Sequence, residues 1–184
     1  MSNSSKVVKV ILLGDSAVGK SKLVERFLID GYREQQQSTF ALNIFPYRAK
    51  IDGEDCDVEF WDTAGQERFN NVHPSYYHQA HACILVFDDR QITYKNLEKW
   101  YNELQTYRKG IPAIVVCNKI DLNMDVTKTT FNFATKRELP LYYVSAADGT
   151  NVVKAFTDAL KLAKKCRDNP EKEFVDDVLE LLKD

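Results

Sequence analysis

Long apolar runs are missing from this 184-residue chain: its longest, such as Ala82–Phe87, are the size of a single strand. A bilayer span needs roughly 18 to 20 apolar residues, so no transmembrane segment is expected. Glycine (7) and proline (5) are too scarce for collagen or a low-complexity chain. Met1–Lys6 is polar, and the apolar stretch after it is short and interrupted by Lys9, which does not suit a signal peptide. Ser2 stands where N-myristoylation requires glycine. No cysteine lies in a C-terminal prenylation motif either, because Cys166 is well upstream of the final Leu181-Leu182-Lys183-Asp184. No lipid anchor is expected. The four cysteines, Cys56, Cys83, Cys117 and Cys166, are far apart, which reads as four reduced thiols in a cytoplasmic protein. His73, His78, His81 and Cys83 match no closed zinc-ligand spacing, and the histidines read as polar helix residues.

A dominant charge is also missing. Lys plus Arg is 25 and Asp plus Glu is 27, a net −2 that argues against nucleic acid as a partner. The imbalance is local: residues 168–184 hold seven acids and two bases. What is present is 44% hydrophobic and 28% charged residues, the balance of a folded domain with a core, in a length that fits one domain and a monomer. The expected organisation is a domain over 7–167 and an acidic tail over 168–184. In the tail Phe174, Val178, Leu181 and Leu182 recur at helical spacing, predicting an amphipathic helix docked on its own domain or in a partner's groove.

Two periodicities alternate along the chain. Val7–Leu13 reads as a strand, a Gly-containing turn follows, and Lys20–Ile29 has helical spacing in Leu23, Phe27 and Leu28. Phe45–Ile51 and Cys56–Trp61, on either side of Asp52-Gly53, read as an antiparallel pair. Ala82–Phe87, Ala113–Cys117 and Leu141–Val144 read as buried strands. Each precedes an amphipathic stretch of about 12 to 18 residues, starting near Tyr94, Val126 and Val152. The pattern predicts an α/β fold with a mostly parallel sheet, helices on both faces, and ligands at the carboxyl ends of the strands.

The motifs fall at those ends. Gly14-Asp15-Ser16-Ala17-Val18-Gly19-Lys20-Ser21 satisfies G-x-x-x-x-G-K-[ST] between a strand and a helix. The backbone amides of Ser16, Ala17, Val18, Gly19, Lys20, Ser21 and Lys22 are the expected cradle for a polyphosphate at the helix N-terminus. Lys20 is expected to reach the β and γ phosphates, and the Ser21 hydroxyl to bind Mg²⁺, a hard cation that prefers oxygen ligands. Asp62 ends a strand and is the second magnesium candidate. Gly65 can offer its amide to a γ-phosphate, and Gln66 can orient an attacking water. In Asn118-Lys119-Ile120-Asp121 the Asp121 carboxylate can accept both N1–H and N2–H₂ of guanine, a donor pair that adenine lacks. The Lys119 stem can lie along the base and Asn118 can brace the phosphate loop. Ser145-Ala146-Ala147, after the next strand, can present amides to guanine O6.

This set resembles the small Ras-like GTPases over about residues 7–167, which implies a P-loop small G domain with a six-stranded sheet and one antiparallel edge strand. Trp61–Phe69 and Ser75-Tyr76-Tyr77 are similar to the Rab switch II. Gly19–Leu23, Gln36–Thr39, Ala80–Cys83 and Val144–Lys154 are similar to the second Rab-like subfamily, which is implicated in intraflagellar transport. The resemblance implies that Thr39 binds Mg²⁺ and the γ-phosphate, that Ser38 lies beside it at the nucleotide, and that Tyr32 packs against the guanine edge. It also implies GTP and GDP as ligands, Lys20 and Gln66 as the hydrolytic residues, and slow hydrolysis with no built-in arginine finger. Partners would be effectors reading switch I and switch II, among them centriolar and intraflagellar-transport proteins, together with activating and exchange factors. The expected location is the cytoplasm, the ciliary base, the centriole and the cilium. The chain departs from Rabs at Gln36, at Phe40–Ile44 and at Ala147, which implies different effectors and faster nucleotide release. Two readings stay open: a GTP-dependent switch, and a GTP-stabilised binding module whose hydrolysis is not part of its cycle. An ATP-using P-loop kinase is disfavoured by Asp121 and by the lack of a lid segment.

Overall fold

In a computed structural model the chain is described over residues 7–31, 44–63 and 74–170. Tyr32, Ser38, Thr39, Gly65, Gln66, His73 and the tail beyond Pro170 therefore lie outside the described residues. The elements run β1 (Val8–Leu13), α1 (Lys20–Gly31), β2 (Ile44–Ile51), β3 (Glu54–Asp62), β4 (Ala82–Phe87), α2 (Gln91–Lys95), α3 (Leu97–Tyr107), β5 (Ala113–Cys117), α4 (Asn132–Lys136), β6 (Leu141–Tyr143) and α5 (Val152–Asp168). They build a six-stranded sheet in the order β2-β3-β1-β4-β5-β6. Every neighbouring pair is parallel except β2 with β3.

The sequence dictates which strand lies where. β1, β4 and β5 are buried along their whole length, as strands covered on both faces must be. β2 alternates burial and carries Pro46 opposite Glu59; proline lacks the ladder N–H and is tolerated because β2 is an edge. Asp52 and Gly53, with φ of 50° and 84°, close the β2–β3 hairpin in the left-handed region that a two-residue turn of matching twist requires. Successive residues of the central strands feed two cores. Val10, Leu12, Ile84 and Val86 pack with Phe27 of α1 and Phe156 of α5, while Ile11, Leu13, Leu85 and Phe87 pack with Leu97, Trp100 and Leu104 of α3. Among the described residues no helix is long and apolar enough to cross a membrane.

Three expectations need correction. The stretch after β5 is not one helix of 12 or more residues. It is a 3-10 turn at Met124–Lys128, then the five-residue α4. The Asn123 side chain accepts from Asp125 N and fixes the tight turn, and the extended Thr129 ends it. The described histidines are also not helical: His78 lies in a turn and His81 precedes β4. His81 Nδ1 accepts from Lys9 N at 3.0 Å, and burial first, then nearby Arg108, hold its pKa down to about 4. Among the described residues no cluster of His, Cys, Asp and Glu gathers to hold a metal, and all four cysteines are free thiols. The helical path expected from Tyr94 starts earlier, at Gln91, and is divided at Asn96.

Lys9 is the polar exception in β1. Buried within the sheet, it donates to His78 O at 2.8 Å and Ser75 O at 3.3 Å, with its ammonium 3.6 Å from the Trp61 ring centre. Desolvation lowers its pKa to about 8, against the raising influence of Glu59. These contacts tie β1 to the segment that follows residue 73.

Candidate nucleotide-binding site

Five strands deliver polar groups to one edge of the sheet: the Gly14–Ser21 loop after β1, Asp62 at the end of β3, Asp88 after β4, Asn118 after β5 and Ser145 after β6. The loop is packed too tightly for side chains at its glycines. Gly14 has φ +150°, and a Cβ there would collide with the Val86 carbonyl; Gly19 has φ +99°, and a Cβ there would collide with Asn118 Nδ2. Lys20 is 3% exposed and donates to the carbonyls of Gly14 and Asp15, both at 2.9 Å, so its ammonium lies inside the curl of the loop. The loop leads into the first turn of α1, where backbone amides lack helical acceptors and attract anions.

Ser21 Oγ donates to Asp62 Oδ2, joining the start of α1 to the end of β3. Asp62 is 1% exposed, and Tyr76 donates its phenol to the Asp62 carbonyl from behind. Thr63 Oγ1, one residue further on, is buried with no hydrogen-bond partner among the described residues. A hydroxyl and a buried carboxylate in contact form an oxygen-only donor pair that fits Mg²⁺.

On the other flank Asn118 is 1% exposed and links two loops. Its Nδ2 donates to Val18 O at 2.9 Å and its Oδ1 accepts from Ala146 N at 3.1 Å. Lys119, with φ +66°, crosses the phosphate loop and donates to Ala17 O at 2.5 Å. Ser145 Oγ donates to Asp121 Oδ1 at 2.7 Å and accepts from Asp148 N at 3.2 Å. Of the three amides expected to face a base, that of Ser145 goes to Thr150 O and that of Ala146 to Asn118. The structure thus brings together Ser16–Lys22, Asp62, Asn118, Lys119, Asp121 and Ser145–Ala147.

Three further bracing groups were not legible as motifs. Arg26 of α1 donates to Ala146 O at 2.9 Å and Ala147 O at 2.6 Å, and so fixes the Ser-Ala-Ala loop. Asp15 accepts from Asn96 Nδ2 at 2.7 Å and Trp100 Nε1 at 2.9 Å, and so fastens the phosphate loop to α3. Asp88 binds Lys119. An acid at the carboxyl end of a strand is the signal that marked Asp62, and it applies equally to Asp88. Arg26 and Asp15 carry no comparable local signal.

The phosphate loop, the oxygen-lined corner at Ser21 and Asp62, and the Asn118–Asp121 turn at the carboxyl ends of a β2-β3-β1-β4-β5-β6 sheet define a Ras-type small G domain. Residues 9–165 match the Ras family, and the chain belongs to it as a Rab-like small GTPase. It is 59% identical to Rab-like protein 2A of Pongo abelii and 58% identical to Rab-like protein 2A of Homo sapiens, in each case over 176 residues that cover 95% of this chain and 76% of the relative. It is 38% identical to GTP-binding protein YPTM2 of Zea mays over 153 residues, 80% of this chain and 75% of the relative. Proteins of this family in general bind GTP and GDP, hydrolyse GTP, and act through effectors, activating proteins and exchange factors.

Proposed function

We propose that this chain is a guanine-nucleotide switch that binds GTP or GDP with Mg²⁺ and hydrolyses GTP slowly. The observation that supports it most is the double tether of the Gly14–Ser21 loop, to Asp62 through Ser21 and to the Asn118–Asp121 turn through Val18, which sets polyphosphate and base sites side by side. In this reading the loop amides and Lys20 neutralise the phosphates, Asp121 selects guanine, and the Lys119 stem flanks the ring. Ser21, Asp62 and Thr39 would hold Mg²⁺, which supplies charge neutralisation to the phosphate oxygens. Gln66 orients the attacking water, and Lys20 stabilises charge as it develops on the leaving phosphate. Thr39 and Gly65 contact the γ-phosphate, so the surfaces around them differ between GTP and GDP forms, and effectors read that difference. Tyr32 and Ser38 complete the nucleotide contacts. The resemblance to the second Rab-like subfamily makes centriolar and intraflagellar-transport proteins the proposed effectors.

Single-turnover hydrolysis tests the reading. Gln66→Leu is expected to slow hydrolysis by roughly tenfold or more, with GTP affinity within about threefold, because the side chain acts on water and not on the ground-state nucleotide. A wild type already as slow as the variant would favour the binding-module alternative. Ser21→Asn is expected to weaken GTP more than GDP, by about tenfold in the ratio, in titrations with Mg²⁺ present, and the two losses should converge when Mg²⁺ is chelated. Equal losses in both conditions would remove Ser21 from the metal site. Retention of centriolar and intraflagellar-transport proteins on the GTP-loaded Gln66→Leu protein, but not on the Ser21→Asn protein, would support the ciliary assignment.

A further inference from the structure

Behind Lys119 lies Asp88, the first residue after β4 and 2% exposed. Arg90 grips its carboxylate in a fork, Nε to Oδ1 at 2.9 Å and Nη2 to Oδ2 at 2.8 Å; Thr93 Oγ1 donates to Oδ1 at 3.0 Å, and Lys119 Nζ to Oδ2 at 3.0 Å. Burial would raise the Asp88 pKa, but the hydrogen bonds from Arg90, Lys119 and Thr93 outweigh it and hold the group down to about 2. The carboxylate is therefore a fixed negative charge at physiological pH. Lys119 spans two anchors, Asp88 Oδ2 on one side and Ala17 O on the other. Its backbone sits in the left-handed region at φ +66°, a conformation that costs a non-glycine residue free energy and needs support from its surroundings.

We propose that Asp88 is a positioning residue for nucleotide binding that acts through Lys119. Its carboxylate, itself locked by Arg90 and Thr93, holds the Lys119 ammonium against the Ala17 carbonyl, so that the lysine stem stands as a preformed wall for the base. The inference rests on the guanine-nucleotide reading above. A free lysine side chain carries considerable rotamer entropy, and a wall assembled only on binding would lose that from affinity. The need is sharper here because Ala147 offers a methyl and no long stem to the base. The bond from Lys119 to Ala17 O also makes the wall part of the phosphate loop, so a loosened Lys119 loosens both halves of the site.

A double-mutant cycle on the release of a fluorescent GDP analogue tests this, with Asp88→Asn, Lys119→Ala and the pair in the full chain. Asp88→Asn is expected to speed release by roughly tenfold or more, the scale of one charged hydrogen bond. In the Lys119→Ala background the same change is expected to add less than about twofold, because the bond to the lysine is gone and what remains is Arg90, whose Nη2 reaches Ser16 O of the phosphate loop only at 3.5 Å. A full, multiplicative effect in that background would mean a merely structural role and would overturn the proposal, as would unaltered release in Asp88→Asn. Should Asp88→Asn fail to fold, Thr93→Val takes its place in the cycle. It removes one donor that fixes Asp88 and touches neither Lys119 nor the phosphate loop. Faster release that disappears without Lys119 supports the proposal, and release that is unchanged or stays faster overturns it. A wild type that does not retain the analogue at all would instead overturn the guanine-nucleotide reading.

Discussion

Asp121→Asn is expected to cost this chain its GTP affinity by roughly two to four orders of magnitude and to transfer its preference to xanthosine triphosphate. In the proposed site a carboxylate accepts N1–H and N2–H₂ of guanine. Two charge-assisted hydrogen bonds of about 1.5 to 3 kcal/mol each set the scale, at 1.4 kcal/mol per factor of ten. The structure determines which way the new amide turns. Ser145 Oγ accepts from Asp148 N and gives its own proton to the side chain of Asp121. That proton requires an oxygen, so in the variant the amide carbonyl faces Ser145 and the amide NH₂ faces the base, where it repels guanine N2–H₂ and donates to the O2 of xanthine. Competition between the two triphosphates for the site is the measurement. Asp121 is exposed, so the thermal midpoint of the variant should stay near that of the wild type. Unchanged GTP affinity would remove Asp121 from base recognition. Adding Ser145→Ala should blur the new preference, because nothing then holds the amide in one orientation.

What the sequence made legible was local. Ala82–Phe87 and Ala113–Cys117 read as buried strands because a strand covered on both faces has no alternative to a continuous apolar run; Leu141–Val144 read the same way, but β6 is an edge strand and Leu141–Tyr143 is only half-buried. The Gly14–Ser21 loop read as a phosphate cradle because glycine spacing, a lysine and a hydroxyl fall between a strand and a helix. The groups that hold these motifs in place were not legible. Arg26 reaches loop carbonyls 120 residues away and Trp100 reaches Asp15 across 85 residues, pairings that only the packing of α1 and α3 on the sheet creates. The misjudged helix after Cys117 has a local cause. Val126 and Phe133 both point into the core and mimic one amphipathic helix, yet Thr127, Thr129 and Thr130 lie between them. β-branched residues and a capped turn at Asn123 favour two short pieces over one continuous helix.

Gly19→Ala is expected to be among the most damaging single-methyl changes in the described part of the chain, for two reasons that add. At φ +99° any side chain strains the backbone, at about 1 to 3 kcal/mol. The new Cβ would also strike Asn118 Nδ2. Asn118 is buried and cannot step aside without breaking its bonds to Val18 O and Ala146 N. Each buried polar group left unpaired costs a further 1 to 3 kcal/mol or so. Strain plus two such groups, about 3 to 9 kcal/mol in all, lowers the thermal midpoint by roughly 10 °C or more for a domain of this size. Nucleotide should be lost with it, since the Asn118 bridge joins the phosphate loop to the base loop. Gly53→Ala separates the two causes: φ there is +84°, and nothing lies within 4 Å of the added Cβ. It carries backbone strain alone and should cost about 1 kcal/mol, without effect on nucleotide release. If both variants melt together, the collision with Asn118 is inconsequential and the bridge does not hold the two halves of the site in register. If Gly19→Ala melts far lower and releases nucleotide, while Gly53→Ala does neither, the bridge is the joint on which the site depends.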